Sequence, residues 1–142
     1  MVATSSRKFD SIDLNHLKIS PYYIGKLTVN IIDLLHLKTN EKDILLWKDR
    51  IRYIDKHKSD FTSDEEFKKH VEAIPDIVQN PDYVGIHPKG ESIEFIKKID
   101  RLMLVAVRLN LKSDVLKFRS AYPIKQSQLE SYLKNGRTKK VQ

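Results

Sequence analysis

The sequence predicts an α+β fold, with N-terminal helices packed on an antiparallel sheet of about four strands and a short C-terminal helix. Two observations carry this expectation. Through most of the first half, apolar residues recur at helical spacing, as in Leu27, Ile31, Leu34 and Leu35, and in Trp47, Ile51 and Ile54. After Pro81 the period shortens, and the segments YVGIH, SIEFIKKI, RLMLVAVRL and VLKFRSAY follow one another across turn-compatible stretches.

In chain order, residues 1–11 are polar and small and are expected to form a flexible arm, leaving 12–142 as a single domain. DLNHLKI ahead of Pro21 reads as a short strand. Ile24 to Leu37 reads as a helix with its apolar face on the sheet and His36 near its C-terminal end. Asp43 to Trp47 is a short apolar strand. The stretch WKDRIRYIDKHKSDF then predicts a helix on which Tyr53 and His57 lie one turn apart, beside the apolar line. Thr62 or Ser63, followed by Asp64, Glu65 and Glu66, marks another helix start. That helix carries Phe67, His70, Val71 and Ile74, and Pro75 limits it. At the other end Ser127 to Leu133 forms a terminal helix stopped by Asn135 and Gly136, after which RTKKVQ is expected to fray.

Composition narrows the chemistry. There is no cysteine, which excludes a disulfide framework, a thiolate metal site and a cysteine nucleophile. The five histidines are dispersed, no HExxH or DxDxD pattern occurs, and with four glycines there is neither a phosphate-binding loop nor a dinucleotide fingerprint. No cofactor or metal is expected. No window is apolar enough to span a membrane and no signal peptide is evident, so a cytoplasmic protein without membrane partners is expected. The net charge of +7 favours a polyanion, and RNA is the expected partner.

Within this frame His57 is the candidate acid or base, because an imidazole can both take and give a proton near neutral pH. Arg50, Arg52, Lys56 and Lys58 share its helix and can hold phosphate charge. On the late strands, alternation places Phe118, Ser120 and Tyr122 on one face and Lys117, Arg119 and Ala121 on the other. Arg108, with Ser120 and Tyr122, can supply a guanidinium and hydroxyl donors to a phosphate. Tyr22, Tyr23, Tyr83 and Tyr132 read as packing residues.

From about Lys26 onward the order of segments resembles the phage members of the barnase-EndoU-colicin-RelE nuclease superfamily. RYIDKHKSDF is similar to the family's histidine-bearing helix, AIPDIVQNPDYVG to its most specific segment, and RLMLVAVRLN with VLKFRSAYPI to its late strands. The resemblance implies a small α+β nuclease whose sheet holds a metal-independent RNase site that activates the ribose 2′-hydroxyl. By position it assigns His57, Ser120 and Tyr122 to catalysis; Tyr53, Lys56, Arg108 and Arg119 are the residues expected to bind the substrate. It also implies a phage or mobile-element nuclease or toxin, with an immunity or host protein as a second partner. Tyr53 stands where the family carries the helix's first histidine, which keeps open a non-catalytic RNA-binding or regulatory module; a phage protein that binds a host protein is a further alternative.

Overall fold

A computed structural model describes residues 8–141. The first strand, β1 (Tyr22–Leu27), is followed by α1 (Val29–Leu34), β2 (Lys42–Leu46) and α2 (Lys48–Tyr53). A 3-10 segment (Ile54–Asp60) then leads into α3 (Asp64–Glu72) and α4 (Ile74–Gln79). The antiparallel run β3 (Tyr83–Ile86), β4 (Ser92–Lys98), β5 (Leu102–Arg108) and β6 (Val115–Pro123) comes next, and α5 (Gln126–Lys134) and β7 (Thr138–Lys140) close the chain. The strands form a seven-stranded sheet in the order β1-β2-β6-β5-β4-β3-β7, in which β2 and β6 pair parallel.

The α+β class, the four late strands and the short C-terminal helix are as expected, and the sheet is larger. Of its extra strands, β2 is the one expected at Asp43 to Trp47, whereas β1 and β7 come from segments expected to be helix and frayed tail. Tyr22 to Leu27 is strand and not helix, because its aromatic and β-branched residues pair with β2 and bury on the sheet. The helix expected from Ile24 begins only at Val29. DLNHLKI is not a strand: Asp13 Oδ1 accepts from the Asn15 N–H at 2.9 Å and turns the chain. That bond, followed by the side-chain hydrogen bond with His16, holds the Asp13 carboxyl below its ordinary range.

Residues 1–7 of the expected arm lie outside the described residues, but Asp10 is held on β1. Its N–H donates to Tyr23 O at 2.7 Å, and its carboxylate accepts from the Tyr23 N–H at 2.7 Å. The helix expected to stop at Pro75 divides instead. α3 ends at Glu72, and Pro75 sits in the first turn of α4, where a missing N–H costs nothing. Ser63 caps α3 as expected, its hydroxyl accepting from the Glu66 N–H at 3.0 Å.

Helices from the first half cover one face of the sheet. Ile31 and Ile32 of α1, Ile51 of α2, Phe67 and Val71 of α3, and Ile74 and Ile77 of α4 bury against Phe95, Val105, Val107 and Phe118. His70, fully buried in this layer, is structural. Its Nδ1–H donates to Glu66 O at 2.8 Å, and its Nε2 accepts from the N–H groups of Asp100 and Arg101, closing the β4–β5 turn.

On the outer face α5 covers one end, where Leu129 packs with Ile96, Leu104 and Ile124. Beyond α5 the same face carries buried polar and small residues. Cross-strand partners form a row along it: Thr138, Gly85, Glu94, Ala106 and Ser120.

The tail expected to fray is tied down as β7. Gly85 makes this possible, since a Cβ there would lie 2.3 Å from Arg137 O and 2.9 Å from Thr138 Oγ1. Gly85→Ala is therefore expected to destabilise the fold by about 1–3 kcal/mol, through overpacking against backbone that cannot yield. Urea unfolding checks this, and an unchanged midpoint would contradict it.

Candidate active site

β2 pairs with β6 only from Val115 to Lys117. Beyond that point α2 and the 3-10 segment take the place beside β6. Ile51 and Ile54 face the core, which leaves Arg50, Tyr53 and His57, spaced i, i+3, i+7, to look over the outer face. They meet the sheet at a cleft of about 360 Å³.

Of the residues expected at the site, the cleft gathers His57, Ser120, Tyr122, Tyr53, Lys56 and Arg119. Arg119 is there for a reason that simple alternation misses. The β5–β6 register runs Ala106↔Ser120 and then Val107↔Phe118, so Arg119 is an extra residue in a β-bulge. Phe118 and Ala121 both turn to the core, contrary to the expectation that Phe118 shares a face with Ser120, and Arg119 joins Ser120 and Tyr122 at the cleft. Arg50 secures the bulge, its Nε donating to Arg119 O at 3.1 Å and its Nη2 donating to the same oxygen.

Arg108 is not in the cleft. It lies in an adjoining groove with Trp47 and Lys117. Arg52 and Lys58 also point elsewhere, and Lys58 pairs with Asp64 at 3.4 Å.

His57 is about one-quarter exposed, and its Nδ1 lies 3.2 Å from Asp60 Oδ2. A carboxylate only accepts, so Nδ1 carries the hydrogen and Nε2 keeps its lone pair in the neutral ring. Its ring packs against Tyr122 at a centroid distance of 5.4 Å.

The two tyrosines of the cleft are driven in opposite directions. The Tyr122 phenol is pushed above its ordinary range by burial, and the nearby Glu94 carboxylate adds to the effect. Tyr53 is exposed, with Arg50 and Lys56 over its ring at 4.1 and 3.8 Å. Its phenol is pulled below the ordinary range, chiefly by the hydrogen bond from Lys56, with the charges of Lys56, Arg50 and Arg119 assisting.

Ser120 Oγ is buried at this site and has no hydrogen-bond partner among the described residues. An unpaired buried hydroxyl costs about 1–3 kcal/mol, the kind of group that a ligand satisfies.

Three contributors escaped sequence reasoning. His87 lines the cleft, and its Nδ1 accepts from the Lys89 N–H at 3.1 Å, so the neutral ring carries its hydrogen on Nε2. Glu94, 1 % exposed, accepts from Arg137 Nε at 2.9 Å and Nη2 at 2.7 Å. Arg137 in turn stacks on Tyr132 at 3.9 Å, and the Glu94 hydrogen bonds raise its already high pKa. The one legible signal was a carboxylate inside the apolar run SIEFI, which requires a cationic partner when buried.

Among the described residues, no three His, Asp or Glu side chains converge as metal ligands, and no helix is long and apolar enough to cross a membrane. Neither the curated proteins nor the solved structures provide a match. A family match does exist. It extends over residues 23–131, from β1 into α5, and so takes in the bulge, the 3-10 segment and every side chain placed at the cleft apart from Arg137; on this footing the chain belongs to the phage-Barnase-EndoU-ColicinE5/D-RelE like nuclease 3 family.

Proposed function

We propose that the chain is a metal-independent endoribonuclease that cleaves RNA by attack of a 2′-hydroxyl on the adjacent phosphate. The observation that carries this reading is the cleft itself. It sets an imidazole backed by a carboxylate, His57 with Asp60, among cations and an unpaired hydroxyl.

In this mechanism His57 Nε2 takes the proton of the 2′-hydroxyl. The bond from O2′ to phosphorus forms as the bond to O5′ breaks, leaving a 2′,3′-cyclic phosphate. Tyr53 gives its phenolic proton to the departing O5′, which becomes a 5′-hydroxyl. The lowered Tyr53 phenol suits that role in the position where the family carries a histidine. Arg119 and Lys56 neutralise the charge that builds on phosphorus, while Ser120 Oγ and Tyr122 donate hydrogen bonds to its oxygens. Tyr122, held protonated by burial, remains a donor across the working pH range. His87 adds an Nε2–H donor from the β3–β4 turn.

Incubating RNA with the protein in excess EDTA tests the proposal. Cleavage should persist, and cleavage only on adding a divalent metal would overturn the mechanism. A non-catalytic RNA-binding module would show salt-sensitive binding with no product.

Tyr53 gives the reaction a pH signature. Its phenol must be protonated to act, so kcat/KM should fall as pH rises through a value below the ordinary phenol pKa of roughly 10. Lys56→Met removes the main cause of the lowering and should move that limb upward. Tyr53→Phe should cost about 10²-fold and abolish the limb. An identical alkaline limb in Tyr53→Phe would assign the acid to another group.

A further inference from the structure

Beside the cleft, and sharing its walls at Arg50, Tyr53 and Arg119, lies a second and larger groove of about 590 Å³. Trp47, half-buried at the end of β2, forms one side. Lys117 pairs across β2–β6 with Leu45, two residues before Trp47, which brings its Nζ over the indole at 5.5 Å. Arg108 and Lys117 are exposed, and neither has an ion-pair partner among the described residues. Asp49 is the single carboxylate of the lining, against Arg50, Arg108, Lys117 and Arg119.

Converging unpaired cations beside one aromatic face fit a single-stranded nucleic acid. Each base offers a π-face for stacking and each phosphate needs a cation. An acidic protein segment would use the cations and leave the indole idle, which makes it the weaker occupant. We propose that this groove is a nucleotide subsite: a base of single-stranded RNA next to the scissile linkage stacks on Trp47, and its phosphate lies between Arg108 and Lys117. The subsite extends the proposed nuclease reading by naming single-stranded RNA as the substrate form. It also gives Arg108 a phosphate one step removed from the one at which cleavage takes place.

Trp47 is the chain's one tryptophan, so any change in indole emission arises at this residue. The probe is a short single-stranded oligodeoxynucleotide, which lacks the 2′-hydroxyl and therefore stays intact. Titration should quench Trp47 emission in step with binding followed by polarisation of a labelled copy. Arg108→Gln and Lys117→Gln, both at exposed positions, should each raise Kd about tenfold and reduce the log–log salt slope by about one. Trp47→Leu, followed by polarisation, should weaken binding about tenfold as well.

Binding without a change in emission, or unaltered affinity in both cation variants, would overturn the subsite, and so would no binding at all. The subsite and the nuclease reading can fail separately. Cleavage of RNA by a protein whose Trp47 emission the oligodeoxynucleotide leaves unchanged would discard the groove and keep the nuclease. Quenching by the deoxy probe with no RNA product would do the reverse.

Discussion

Replacing His57 with alanine is expected to lower RNA cleavage by about 10²–10⁴-fold, the usual contribution of a positioned proton acceptor. The hydrogen bond from Nδ1 to Asp60 fixes the ring and leaves Nε2 as its acceptor. Asp60→Asn should produce a smaller loss, because an amide can still meet Nδ1 but no longer stabilises the imidazolium that forms. His57 lies on the partly exposed face of the 3-10 segment, so His57→Ala should leave stability within about 0.5 kcal/mol of wild type. Thermal melts of the two proteins separate a chemical defect from a folding one. Equal cleavage by wild type and His57→Ala would remove His57 from the mechanism.

The largest effect on stability is expected from Arg137→Met. Glu94 is buried on the outer face of β4 and both its oxygens are met by Arg137, so removing the guanidinium strands a charge. Breaking one partner of such a pair costs about 3–5 kcal/mol, a large share of a domain's usual 5–15 kcal/mol. The loss should depend on pH with a definite sign. An unpaired buried carboxyl has a folded-state pKa raised above its unfolded value. The variant should therefore regain stability as pH falls and lose it as pH rises through that raised value. Glu94→Gln in the Arg137→Met background should recover much of the loss at neutral pH. Denaturant melts at acid and neutral pH check both statements, and a pH-independent loss would contradict them.

The reason Arg137 matters was hidden in the sequence. TKK in β7 has no apolar alternation to mark a strand, and its pairing depends on Gly85, a glycine more than fifty residues earlier. By contrast, the late strands were legible because each combines β-forming residues with a local turn, and α3 was legible through its Ser63 cap. In the sequence Pro75 looks like a stop, yet proline is equally at home in a helix's first turn, and only the buried Ile74, Ile77 and Val78 distinguish the two.

The same division holds for the cleft. His57, Ser120 and Tyr122 could be named from residue type, position and family pattern. Arg119 could be named, but its face could not, because the bulge arises from the register between β5 and β6 and from Arg50 grasping a carbonyl sixty-nine residues away. His87 directly follows β3 and Glu94 lies on β4, strands whose neighbours are fixed only when the sheet assembles.

The most direct test follows the fate of one ribose. An RNA that is cut at a mapped position is compared with the same RNA carrying a single 2′-deoxyribose there, and the ends of the products are identified. If His57 activates the 2′-hydroxyl, the all-ribose strand yields a 2′,3′-cyclic phosphate and a 5′-hydroxyl, and the substituted linkage stays whole. Cutting at the deoxy position, or products ending in a 3′-hydroxyl and a 5′-phosphate, would contradict the account.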